Sequence, residues 1–415
     1  MSRAPLVLAL GALVATGARA QNDLTVAGQL DVIGAARGLV PTDTPLNFQN
    51  QVLRLPHLAL TAEARPSVEA RVGAWLTVIA RPRLAGGFSM AQVNGAWPDG
   101  DTELAVTLPE LYGTWQASDW FALTWGLQNF QWGPGELASP SNRLFHETGL
   151  LRDPLYLVQG KHLARVNLSS GRALSVVALV EITDTDEHPF VAREQFDRSA
   201  HLKIEYAEET GRWLVGVVGS AWLDHEPALG EYAQLQLTDV VALYVDASHG
   251  RERRGWYPGR NAFVHRAVDD DELELFTTAL VGARLSFDRG VELRGEYLAQ
   301  QAGWDADDLE DAAGLVLSTR DLEPYLAPGF ELLGQQLVFV TARIPELPPM
   351  KKLTVQPRVL WSLTDRSAAA FVTISAEAGE RTTAFLSAFA SVGDPEDELA
   401  RFARAAVTFG VINTW

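Results

Sequence analysis

The chain has 415 residues, with 52 acidic against 34 basic groups and a net charge of −18, so it lacks the basic footprint that nucleic-acid binding requires. It contains no cysteine, which removes disulfides and cysteine-ligated zinc as sources of stability. Beyond the first twenty positions no run of 18 apolar residues occurs, which excludes a membrane-spanning helix but not a β-barrel, whose strands need only alternate residues to be apolar.

Residues 1–20, MSRAPLVLALGALVATGARA, set Arg3 before an apolar core from Pro5 to Thr16 and end on Ala18-Arg19-Ala20, the pattern of a signal peptide. The core is too short to span a bilayer, so the mature chain is expected to begin near Gln21. Loss of Arg3 and Arg19 makes the net charge −18 − 2 = −20.

Downstream the dominant period is two. In SVEARVGAWLTVIARPRL, Val68, Ala70, Val72, Ala74, Leu76, Val78 and Ala80 share one face, and Glu69, Arg71, Gly73, Trp75, Thr77 and Arg81 the other. The pattern returns in LELFTTALVGARLSFDRG, where Val281 and Leu285 oppose Gly282 and Arg284, and in KKLTVQPRVLWSL, where Val359 and Trp361 oppose Arg358 and Ser362. Short turns are expected at 64–67, 116–119, 169–172, 208–212, 237–239, 287–290, 345–350 and 378–381. Between them lie longer polar segments at 37–51, 85–102, 131–160, 184–198, 224–230, 250–271 and 303–334, and brief ones near 364–367 and 393–399.

Counted from a first strand at 23–36, this alternation gives an all-β fold. It is a transmembrane antiparallel β-barrel of about 18 strands, within 16–18, with both termini on the short-turn, periplasmic side. The strands 229–237 and 240–249 are separated only by Thr238-Asp239. Residues 21–415 then form a single outer-membrane barrel domain. Trp115, Trp120 and Trp125 flank one turn, and Trp213 and Trp222 lie near the two ends of one strand, as aromatic girdles would place them.

The eight histidines form no metal-spaced pair, and no G-x-S-x-G elbow occurs, so neither an enzyme nor a resident cofactor is expected. Acidic runs at Asp184, Asp186 and Glu187, at Asp269–Glu272, and at Asp305, Asp307, Asp308, Glu310 and Asp311 leave calcium open, although a solvated charged loop accounts for them as well. By the pleat, Arg71, Arg81, Arg165, Lys203, Arg284, Arg294, Arg343, Lys352 and Arg358 point into the lumen. So do fewer acids, Glu69, Glu205, Glu274, Glu292, Glu296 and Glu377. Such a lining either biases a pore toward anions or pairs across strands and simply braces the barrel.

At the end of the chain Ala405, Val407, Phe409, Val411 and Trp415 share a face, which resembles the C-terminal signal of outer-membrane barrels and implies the barrel-assembly machinery as a partner; Asn413 departs from that frame. Leader, long strands and Trp415 together resemble bacterial outer-membrane porins. The run Trp132-Gly133-Pro134-Gly135, followed by Ser139-Pro140-Ser141-Asn142, resembles the W-G-P-G then S-N-N segment of capsule-assembly barrels and is similar to a segment of alginate-export barrels. The helical N-terminal addition of capsule-assembly proteins has no counterpart in this sequence. The resemblance implies the outer membrane of a Gram-negative bacterium, contact with lipid and lipopolysaccharide, and an 18-stranded wall.

In many porins the third long loop folds inward and narrows the pore, which makes 131–160 the candidate constriction here. Its glycines and prolines suit a well-ordered loop. Two functions compete. One is passive diffusion of small hydrophilic solutes, anions included. The other is polysaccharide binding or export, in which Trp132, Asn142 and inward arginines contact the saccharide.

Overall fold

Alternation of apolar and polar side chains produces the wall. The computed structural model describes residues 24–98, 100–145, 154–171, 173–183, 198–223, 226–251, 256–265, 275–319, 332–347 and 352–415. Strand β1 (Leu24–Pro41) pairs with β2 (Leu58–Val72), then follow β3 (Leu76–Met90), β4 (Asp101–Ser118), β5 (Phe121–Gln128), β6 (Lys161–Ser170), β7 (Leu174–Thr183), β8 (Ser199–Ala207) and β9 (Trp213–Trp222). Next come β10 (Ala228–Gln236) and β11 (Val241–Gly250), a separate small hairpin of β12 (Trp256–Pro258) and β13 (Phe263–His265), and β14 (Phe276–Ser286). The wall ends with β15 (Glu292–Gln300), β16 (Gln336–Arg343), β17 (Leu353–Ser362), β18 (Ala368–Glu377), β19 (Thr382–Val392) and β20 (Ala403–Thr414). Pairing of β20 with β1, Thr414 opposite Asp31, closes an antiparallel barrel of 18 strands.

Closure leaves no free sheet edge around the ring and satisfies backbone groups strand to strand, which a lipid environment demands. On β20, Val407 and Phe409 are exposed on the outer face while Ala406 and Thr408 are buried inside. Carried around the cross-strand registers, that parity puts Phe371, Arg358, Thr341, Arg294 and Arg284 on the inner face. Trp115, Trp120 and Trp125 are exposed around one short turn, as expected of a girdle.

Three expectations need correction. No turn occurs at 64–67: β2 runs through it, and the chain reverses at 73–75, where Gly73 takes a positive φ of 53°. Pro66 carries the local signal of a turn but lies within the strand. It faces Leu30 of β1, and on its other side the β2–β3 ladder skips from Ala64–Leu84 to Val68–Ala80, so the missing N–H costs no bond there. The three-residue connection preserves parity, so the predicted faces survive the misplaced turn. Second, Trp222 is not in a girdle; it shares the inward row of β9, and its ring lies 6.0 Å from that of inward His201. Third, the segments read as polar loops carry more order. β3 and β4 extend to Met90 and from Asp101, and residues 303–334 contain a helix, α1 (Ala306–Thr319). Its start employs two acids of the third run: the Asp305 carboxylate accepts the Asp308 N–H at 2.8 Å and the Asp308 carboxylate accepts the Asp305 N–H at 3.3 Å, a reciprocal cap. The signal peptide and the acidic runs at 184–187 and 269–272 lie outside the described residues.

Candidate functional site: a loop folded into the barrel

After Gln128 the chain turns into the barrel instead of returning as a hairpin. Leu137 is fully buried among Tyr244, Leu280, Leu298, Leu337, Phe339 and Leu360, side chains from the inner wall between β11 and β17. Trp132, Leu144 and Phe145 pack into a second cluster with Leu163, Val177, Leu179, Val218 and Tyr232, from the wall between β6 and β10. The middle of the segment is thus anchored on one stretch of wall and its two ends on the adjoining stretch, so the loop lies folded inside the barrel.

Carboxylates on the wall fix it between the anchors. Glu296 accepts the N–H groups of Glu136 at 2.7 Å and Leu137 at 2.6 Å, and the Tyr244 hydroxyl at 2.6 Å. Asp246 accepts the Ser139 hydroxyl and the Ser141 N–H, both at 2.7 Å. Hydrogen bonds to charged groups contribute about 1.5–3 kcal/mol each, and here they also offset the desolvation of two buried carboxylates. Glycine permits the close approach: a Cβ at Gly133, whose φ is 92°, would run into Ser139 and Asp246, and one at Gly230 of β10 would sit 2.9 Å from Ser141.

Of the residues named for binding, Trp132 and Asn142 are spent on the loop itself. The Trp132 indole donates to the Ser141 carbonyl at 3.1 Å, and the Asn142 side-chain oxygen accepts the Leu144 and Phe145 N–H groups, each at 3.2 Å. Both are buried, yet they line a cavity of about 300 Å³ with Gly133, Pro134, Gly135, Glu136 and Arg294. A neighbouring cavity of about 260 Å³ shares Gly135, Glu136 and Arg294 and adds Glu292, Thr341, Arg343 and Gln356. Loop on one side and a basic wall on the other thus bound the aqueous space.

Most of the inward cations have acidic partners. Arg71 pairs with Glu69 and Arg81 with Glu110, while Lys203 reaches Glu205 at 3.1 Å and Lys352 reaches Glu377 at 3.9 Å. Arg294 bridges Glu292 at 3.0 Å and Glu136 at 3.3 Å, which ties the loop to the wall a third time. Arg165 lies over the Phe130 ring, 4.1 Å from its centroid, and Arg358 is buried opposite Thr341. Arg284 and Arg343 differ: among the described residues neither side chain makes an ion pair or a hydrogen bond. They flank Arg294, Arg284 as its cross-strand neighbour and Arg343 opposite Glu292. At the closing strand, Phe409 and Trp415 are exposed.

Glu296 is legible in the sequence as an inward acid, whereas the roles of Asp246, Tyr244, Ser139 and Leu137 emerge only from the structure. Asp246 was within reach, because the row Ala242, Tyr244, Asp246, Ser248 alternates with Leu243 and Val245. What pairs with it comes from 105 residues away, which no periodicity reveals.

No protein-family model matches the chain, and no curated protein matches it in sequence. Solved structures do share its fold. OpdL of Pseudomonas aeruginosa superposes with a TM-score of 0.56 at 10% identity, over 94% of this chain and 98% of that one. The outer membrane protein OprD of the same organism gives 0.51 at 10% identity, over 94% and 93%. Wzi of Escherichia coli, an outer membrane protein involved in group 1 capsule assembly and a carbohydrate-binding β-barrel, gives 0.52 at 12% identity, over 92% and 83%.

Proposed function

We propose that this chain is a channel in the outer membrane of a Gram-negative bacterium, passing small hydrophilic solutes by diffusion with a preference for anions and performing no chemical step. On this reading the exposed apolar rows face lipid, the short turns and both termini face the periplasm, the long loops face lipopolysaccharide and the medium, and Trp415 serves the assembly machinery. The observation that carries it is the loop clamped inside a polar lumen near Arg284 and Arg343, whose side chains make no ion pair. Charge of one sign lining a narrow passage lowers the barrier for the opposite sign. The fold likeness to outer-membrane proteins supports the location.

The test is reconstitution in planar bilayers under a potassium chloride gradient. The reading expects ohmic single-channel steps and a reversal potential on the anion-selective side. Cation selectivity would remove the anion preference. Absence of conductance together with retention on a glycan array would replace the channel by the saccharide-binding barrel.

A further inference from the structure

A second clamp sits at the long-loop end of the barrel and belongs to neither the constriction nor the wall. Glu398, in the 393–402 connection between β19 and β20, is buried, and its carboxylate accepts the N–H groups of Leu333 at 2.5 Å and Gly334 at 2.9 Å. Its backbone N–H donates to the Asp365 carboxylate at 2.7 Å, so three connections meet at one residue. Gly334 has no room for a side chain: a Cβ there would lie about 3 Å from Glu398, Thr364 and Ser362.

The segment that Glu398 holds is a junction. Leu333 packs with Trp304 and with Leu309, Ala312, Leu315 and Val316 on the apolar face of α1, while Leu332 packs with Leu137 at the tip of the inserted loop. Leu399, next to Glu398, packs against that same cluster around Leu137. We propose that Glu398 is a proton-responsive latch that holds the 332–335 segment and the α1 cap onto the inserted loop, closing more firmly in mild acid and loosening above neutrality. As a gate, this rests on the channel reading.

The direction follows from the surroundings. Burial pushes the Glu398 carboxyl up to about 7, against the pull of the Arg401 charge and the two N–H donors, while Asp365 adds a smaller upward push. Asp397, the next carboxylate, is occupied by the Asp394 N–H at 2.6 Å, and residues 332–335 bring no titratable group. An open latch exposes the carboxyl and returns it toward its ordinary value, so the closed form binds the proton more tightly. Acid therefore favours closure, and the advantage is lost as pH rises through 7. For a carboxyl moved from 4.5 to about 7, the closed-to-open ratio changes on the order of thirty-fold between pH 8 and pH 5.5.

The experiment is hydrogen exchange by mass spectrometry on the folded full chain in detergent, corrected for intrinsic rate, together with bilayer recordings. Wild type should show protection at Leu333–Gly334 that falls between pH 5.5 and 8, and longer closures at pH 5.5. Glu398→Gln should flatten both profiles. Protection independent of pH in wild type, or an unchanged profile in Glu398→Gln, overturns the latch. Should Glu398→Gln not fold, the wild-type profile alone decides, and a chain that fails to conduct leaves the exchange result standing.

Discussion

The inserted loop at 129–145 and the cap that includes α1 are both held by carboxylates that accept consecutive backbone N–H groups, but from different foundations. Glu296 and Asp246 project from β15 and β11, strands hydrogen-bonded on both sides, and Arg294 and Tyr244 brace the same spot. Glu398 projects from a connecting loop that is itself held by Asp365. A clamp on the wall opens only if the barrel deforms; a clamp on a loop opens when its own few bonds change. The inserted loop is thus fixed to the wall, whereas the cap, on the latch proposal, is conditional.

The largest effect that would break this contrast is expected from Glu296→Ala. It leaves the Glu136 and Leu137 N–H groups and the Tyr244 hydroxyl without an acceptor, at about 1–3 kcal/mol for each buried donor. Single-channel conductance should rise at least about twofold and become noisier as the loop detaches; conductance equal to wild type would mean that the loop does not set the bore. Next comes Leu137→Ala, which empties a fully buried site and should lower unfolding stability by about 2–5 kcal/mol, read from urea titration, with a smaller change in conductance because the carboxylate clamp survives. The mildest change in stability, within about 0.5 kcal/mol, is expected from the double replacement Arg284→Gln and Arg343→Gln, since neither side chain makes a bond to lose. Its signature is selectivity: the reversal potential should move toward zero, and an unmoved potential would assign the anion preference elsewhere.

The wall was legible because a pleated strand has period two and a closed barrel has only two faces. Arg284, Arg294, Arg343 and Arg358 were placed inside from the alternation of Leu285, Val359 and their neighbours, and the registers put them there. The turn at 73–75 was missed because Pro66 is a louder local signal than Gly73, and only the cross-strand partners reveal that Pro66 faces a gap in the ladder. Trp222 was misplaced because distance from a strand end says nothing about parity. The inserted loop announced itself through its glycines and prolines, but its anchors were not readable. The bonds from Leu137 to Glu296 and from Ser141 to Asp246 span 159 and 105 residues, set by closure of the ring rather than by local sequence.

Since the chain has no cysteine, a single introduced thiol is unique, and Gln131→Cys places one on the exposed part of the inserted loop. Treatment of reconstituted channels with methanethiosulfonate reagents of increasing bulk should lower single-channel conductance in steps that follow reagent size. Full labelling, verified by intact mass, with conductance unchanged would show that the loop lies outside the conduction path and would contradict the account.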